Sequence, residues 1–195
     1  MDKIIDYLIF ANDMKTLIIH PEDKSTDFLK PIYAGIESKK VITGGYNSFE
    51  IKNMMKDYER IMMMGHGTVN GLFAVGQFIG FPNLIIDESF VDILKEKNNS
   101  VFVWCNADVF VTKYNLKGFY TGMFISEVSE AIMYDLYNVT DEEIDISNNL
   151  FSNLVGENIH LPSDIILGKV KTEYGKIKQM NEVANFNYDR LYSSI

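Results

Sequence analysis

Apolar positions along this chain gather in short unbroken runs, and between the runs they thin to helical spacing. Tyr7 to Ala11 and Lys15 to His20 are the first two runs, parted by Asn12-Asp13, a pair suited to a tight turn. Lys40 to Thr43, Arg60 to Met64, Val101 to Trp104 and Gly118 to Ile125 are the later candidate strands. A run that is apolar at both alternating sets of positions is what a strand covered on two faces requires.

The stretches between carry helix signals. Ser25-Thr26-Asp27 offer caps for a helix beginning near Phe28, with Pro31 in its tolerant first turn. Asn47 with Glu50 has capping-box spacing for a helix from Ser48 to Tyr58, and Thr140 with Glu143 repeats it for a helix to Val155 that Gly156 stops. Asp87 caps a helix to about Lys97, Asp108 to Tyr114 reads as a short helix, and Ser126 begins another to about Tyr137. From Val69 to Ile86, short apolar pieces broken by Gly71, Gly76, Gly80 and Pro82-Asn83 read as a hairpin. The last forty or so residues show only moderate helical periodicity, broken at Pro162 and Gly175.

Alternating strands and helices predict an α/β protein: a mostly parallel sheet with helices on both faces. The length of 195 residues suits one domain spanning residues 1–195, with a mainly helical C-terminal extension from about residue 140. No internal repeat or low-complexity tract interrupts it.

Charge narrows the function classes. A formal net charge of −9 opposes a phosphate-binding surface, so nucleic acid is not an expected partner. Met1 to Asp6 has acids where a signal peptide needs bases, and no later run reaches membrane-spanning length, so the expected setting is the cytoplasm, away from membranes. One cysteine and three histidines show no zinc-type spacing, and no glycine-rich loop of Walker or dinucleotide type is present. Neither metal nor cofactor is expected.

Two of the apolar runs end in residues that carry chemistry. Arg60 to Met64 leads into Gly65-His66-Gly67, and Ser100 to Trp104 leads into Cys105, the single cysteine of the chain. If both runs are parallel strands of one sheet, the imidazole and the thiol share its carboxyl edge, where open α/β sheets place their chemistry. A thiol becomes a strong nucleophile only as thiolate, and a histidine within reach supplies the base. The amides of Gly67 and Cys105 are candidates for holding an oxyanion, because glycine leaves its N–H unobstructed. The Met62-Met63-Met64 run reads as core filling, and His20 as a structural or cleft-edge histidine.

An apolar strand ending in His-Gly, a helix, and a second apolar strand ending in Cys resemble the caspase-like cysteine peptidases, the group of caspases, gingipains, clostripain and legumain. The resemblance runs from about Thr16 to Asp135. It implies a caspase-like three-layer sandwich in which His66 and Cys105 form a dyad on neighbouring parallel strands, with Gly67 at the oxyanion position. The implied activity is cysteine endopeptidase, with a peptide or protein as substrate and an acyl-enzyme as intermediate. Trp104 departs from the Ala, Gln, Glu or Ser that commonly precede the cysteine in that group, and its bulk is expected to narrow or reshape the cleft. Val103 replaces the acid that selects basic substrates in several members, so that preference does not carry over. The loop after the first core strand sets specificity in such enzymes; here it offers Glu22 and Asp23 to a basic substrate residue, or to the dipole of the following helix. Ser126, with Glu127, falls where the group shapes its cleft, and is equally suited to capping a helix. The alternative function is a non-catalytic caspase-like or flavodoxin-like α/β domain that binds a protein or nucleotide, acting in protein interaction or signalling.

Overall fold

The computed structural model describes residues 14–80 and 83–195, so the expected strand Tyr7 to Ala11 lies outside the described residues. A six-stranded sheet forms the centre. Its strands are β1 (Thr16–Ile19), β2 (Lys39–Ile42), β3 (Arg60–Met64), β7 (Ser100–Val103), β8 (Gly118–Thr121) and β9 (Leu191–Ser194), in spatial order β2-β1-β3-β7-β8-β9. Neighbours pair in parallel except β9, which runs antiparallel to β8. The chain is therefore α/β with a mostly parallel mixed sheet, as the alternation of runs and helices predicts.

Helices cover both faces, which is why every residue of β1 and β3 is buried and all but Thr16 and Arg60 are apolar. On one face Ile18, Met62, Met64, Val101, Val103 and Phe119 pack against α1 (Pro31–Ala34), α6 (Asp141–Asn158) and α7 (Ser163–Tyr174). On the other, Leu17, Ile61, Met63, Phe102 and Trp104 meet α2 (Ser48–Lys56), α3 (Val91–Lys95) and α4 (Ala107–Tyr114). The three methionines of β3 are fully buried and fill both cores. The hairpin region is a three-stranded antiparallel sheet of β4 (Gly67–Thr68), β5 (Gly71–Phe73) and β6 (Leu84–Ile86). No helix among the described residues is long and apolar enough to cross a membrane.

Local signals hold where their hydrogen bonds close locally. Both capping boxes form: Asn47 and Glu50 exchange bonds at the start of α2, and Thr140 and Glu143 do so at the start of α6. Five expectations need correction. The helix expected from Ser126 to Tyr137 is α5 (Val128–Met133), and the strand expected to Ile125 ends at Thr121, because the chain turns away there to bury Phe124 against Phe151. Gly156 does not stop α6, which runs on to Asn158; a Cβ at Gly156 would stand 2.5 Å from the Pro31 carbonyl oxygen, so the glycine serves close approach of α1. The C-terminal stretch holds α7, α8 (Glu182–Tyr188) and the edge strand β9. After β1, Asp23 caps a 3-10 helix over Lys24–Leu29, a place expected for Ser25-Thr26-Asp27.

His20, at the end of β1, is buried between two hydroxyls: Nδ1 lies 2.9 Å from Tyr33 Oη and Nε2 lies 3.0 Å from Thr26 Oγ1. Burial, aided by the Lys30 charge, pushes its pKa down to about 4. The folded value lies below the unfolded one, so this group's contribution is full above pH ~6.5 and is lost as pH falls toward ~4, a span equivalent to at most about 3 kcal/mol. Denaturant midpoints across that window should fall more steeply for the wild type than for His20→Gln; parallel curves would contradict it.

Candidate active site

The parallel register Met62↔Val101, Met63↔Phe102, Met64↔Val103 aligns β3 and β7 so that both reach the carboxyl edge together. One more ladder bond, from Gly65 N to the Val103 carbonyl at 3.0 Å, fixes the two chain ends side by side. Gly65 then turns with φ +140°, a value open to glycine, and His66 follows. Cys105 follows Trp104, and Asn106 at φ 66° turns the chain into α4. His66 and Cys105 thus emerge from adjoining strands, and both line one narrow cleft with Thr26, Phe28, Phe124 and Ser126. The free space between these walls is about 20 Å³, room for about one water.

Each reactive group has partners of its own. His66 Nε2 lies 2.7 Å from Ser25 Oγ and 3.7 Å from Asp23 Oδ2. The Cys105 thiol points to the Phe124 carbonyl oxygen at 3.7 Å and to Glu130 Oε1 at 3.9 Å. Glu130 is held there by its other oxygen, which accepts from Ser126 N at 2.7 Å and Ser126 Oγ at 3.0 Å. Burial, then the Glu130 carboxylate, pushes the thiol pKa up to about 12. The resting sulfur is a protonated thiol. Replacing the carboxylate with an amide, Glu130→Gln, removes one of these causes. Iodoacetamide labelling of Cys105 at about pH 8 should then speed up by roughly threefold per unit that the pKa falls, the gain in thiolate being partly offset by its lower nucleophilicity, and an unchanged rate would show that the charge does not govern the thiol.

The other expected site residues are placed as follows. Asp23 is partly exposed; its Oδ1 accepts from Ser25 N at 3.0 Å and Ser25 Oγ at 2.8 Å, and those bonds hold its carboxyl below the usual range. Glu22 is exposed, and its backbone N–H donates to the Thr43 carbonyl oxygen. Ser126 lines the cleft. Gly67 opens β4, and a Cβ there would meet Trp104 Cδ1 at 2.3 Å, so the lack of a side chain serves packing on the indole. Trp104 also lines this cleft, as its position before Cys105 leads one to expect. The strand pleat sends the indole into the opposite core beside Phe102 and Phe110, and its N–H donates to the Thr68 carbonyl oxygen at 3.0 Å.

Sequence reasoning missed Ser25 as an imidazole partner and Glu130 as a thiol partner. The Asp-x-Ser spacing at the end of β1 carried a signal for the first, since Asp commonly accepts from the residue two positions on. Glu130 carried none beyond its place in the first turn of α5. Asp108 Oδ1, in the first turn of α4, is buried without a hydrogen-bond partner. No group of three or more His, Cys, Asp or Glu side chains among the described residues could hold a metal ion. Comparison with protein-family models, with curated proteins and with solved structures finds no match.

Proposed function

We propose that this chain is a cysteine endopeptidase of the caspase-like kind. The observation that carries the reading is the emergence of His66 and Cys105 from adjoining parallel strands onto one cleft at the sheet's carboxyl edge. In the proposed reaction a peptide enters that cleft, displacing the chain around Phe124 and Ser126 that narrows it, and the thiol is freed from Glu130. His66 takes the thiol proton, and the thiolate attacks the peptide carbonyl carbon. The amides of Gly67 and Cys105 hold the oxyanion of the tetrahedral intermediate. The amine leaves with the proton from His66, and water, activated by the same imidazole, releases the acyl group from sulfur.

A second reading has one specific observation in its favour. The thiol pKa of about 12 and the engagement with Glu130 suit an inert cysteine in a binding domain of the same architecture. The readings separate on two measurements: turnover of a peptide library, and iodoacetamide or chloromethylketone labelling of Cys105 against pH. Turnover, with labelling that tracks an apparent pKa well below that of a free thiol once peptide is bound, supports the peptidase; an inert thiol and no turnover of any peptide defeat it.

A further inference from the structure

The bonds around His66 carry an assignment that its neighbours make unambiguous. An ionised carboxylate only accepts hydrogen bonds, and a serine hydroxyl has a single proton to give. Ser25 Oγ is 2.8 Å from Asp23 Oδ1, so that proton points to Asp23. The same oxygen is 2.7 Å from His66 Nε2, and with its proton committed it accepts there. Nε2 therefore bears the imidazole hydrogen and Nδ1 bears the lone pair.

We propose that Asp23 and Ser25 are positioning residues that hold His66 as its Nε2–H tautomer, so that Nδ1 is the atom presented to take the Cys105 proton. The part played by Nδ1 rests on the peptidase reading; the tautomer does not. Asp23 Oδ2 lies 3.7 Å from Nε2, beyond a good hydrogen bond, so Asp23 acts on the ring through Ser25. This gives Asp23 a role different from binding a basic substrate residue.

The pair is itself held from the core. The Asp23 carbonyl oxygen accepts from Thr26 N at 3.1 Å and Thr26 Oγ1 at 3.0 Å. Thr26 Oγ1 has thereby spent its own proton, so it accepts from His20 Nε2 at 3.0 Å, leaving His20 Nδ1 to accept from Tyr33 Oη at 2.9 Å. A chain of bonds thus runs from Tyr33 through His20, Thr26, Asp23 and Ser25 to His66, and the same hydroxyl logic makes both histidines Nε2–H. A chain so connected leaves the His66 ring little rotational freedom.

Long-range proton–nitrogen correlation of the 15N-labelled protein, at a pH above imidazole titration, reads the tautomer of each ring without any turnover. His66 and His20 are expected to show a protonated Nε2 and an unprotonated Nδ1. Ser25→Ala should move His66 toward an average of the two tautomers and leave His20 unchanged; Ser25→Thr should restore the wild-type pattern. With a cleaved library peptide, Ser25→Ala should lower kcat several-fold, because only part of the population then holds the productive tautomer, with KM within about twofold. A wild-type His66 protonated on Nδ1, or a Ser25→Ala spectrum identical to wild type, overturns the assignment whatever the activity. Absence of turnover in a wild type that shows the expected tautomer overturns the peptidase reading and the role of Nδ1 with it, and the spectrum tells the two failures apart.

Discussion

Cys105→Ala is expected to remove peptide turnover, a loss of at least about a thousandfold, while the protein keeps its fold. No other cysteine exists in the chain to substitute as nucleophile, and an alanine methyl can neither attack a carbonyl nor carry an acyl group. The structural cost is small because the thiol's two bonds, to Phe124 O and Glu130 Oε1, are long. Glu130 keeps its two bonds to Ser126 when the sulfur is gone, so no buried carboxylate is stranded. Unfolding free energy should change by about 1 kcal/mol or less, the scale of one weak bond and a small volume loss. Peptide hydrolysis and a denaturant melt on one preparation measure both halves. Full turnover in the alanine variant would refute Cys105 as nucleophile, and a collapsed melt would assign the sulfur to packing.

The central strands were legible because burial on both faces leaves its mark residue by residue. Arg60 to Met64 and Val101 to Trp104 read as strands before any pairing is known, and both end where chemistry-bearing residues begin. The capping boxes were legible for a related reason: Asn47 with Glu50 and Thr140 with Glu143 close their bonds within one turn. What stayed hidden depends on contacts far along the chain. Leu191 to Ser194 has one buried residue and becomes a strand by pairing with β8, a partner its own pattern does not announce. Gly156 looked like a stop, but the Pro31 backbone lying against α6 is what demands a glycine.

The site divides the same way. Strand-end placement of His66 and Cys105 follows from the runs preceding them, and their shared cleft follows from the register of β3 with β7. Their hydrogen-bond partners do not follow, because Ser25 and Glu130 come from the loop after β1 and from α5. Trp104 shows how the pleat decides what composition cannot. Residue 104 keeps a place in the cleft wall while alternation sends its indole to one core and turns residue 105 toward Phe124 on the other side.

Gly67→Ala is expected to cost both stability and the geometry of the cleft. A Cβ at this position would stand 2.3 Å from Trp104 Cδ1, 2.7 Å from its Cγ and 2.6 Å from the Gly71 carbonyl oxygen. Neither neighbour yields readily. The Gly71 oxygen belongs to backbone in the antiparallel pair of β4 and β5, and the indole is wedged between Phe102 and Phe110 with its N–H tied to the Thr68 carbonyl oxygen. Relief requires the hairpin to lift from the indole or the indole to shift in its core, and overpacking of this kind costs about 1–3 kcal/mol or more. Because Trp104 immediately precedes Cys105 and Gly67 immediately follows His66, either movement displaces a reactive group. Denaturant unfolding should show the lost stability, and peptide turnover should fall beyond what the unfolded fraction explains. A variant as stable and as active as the wild type would mean that the close packing of residue 67 on the indole does not hold the two strand ends in place.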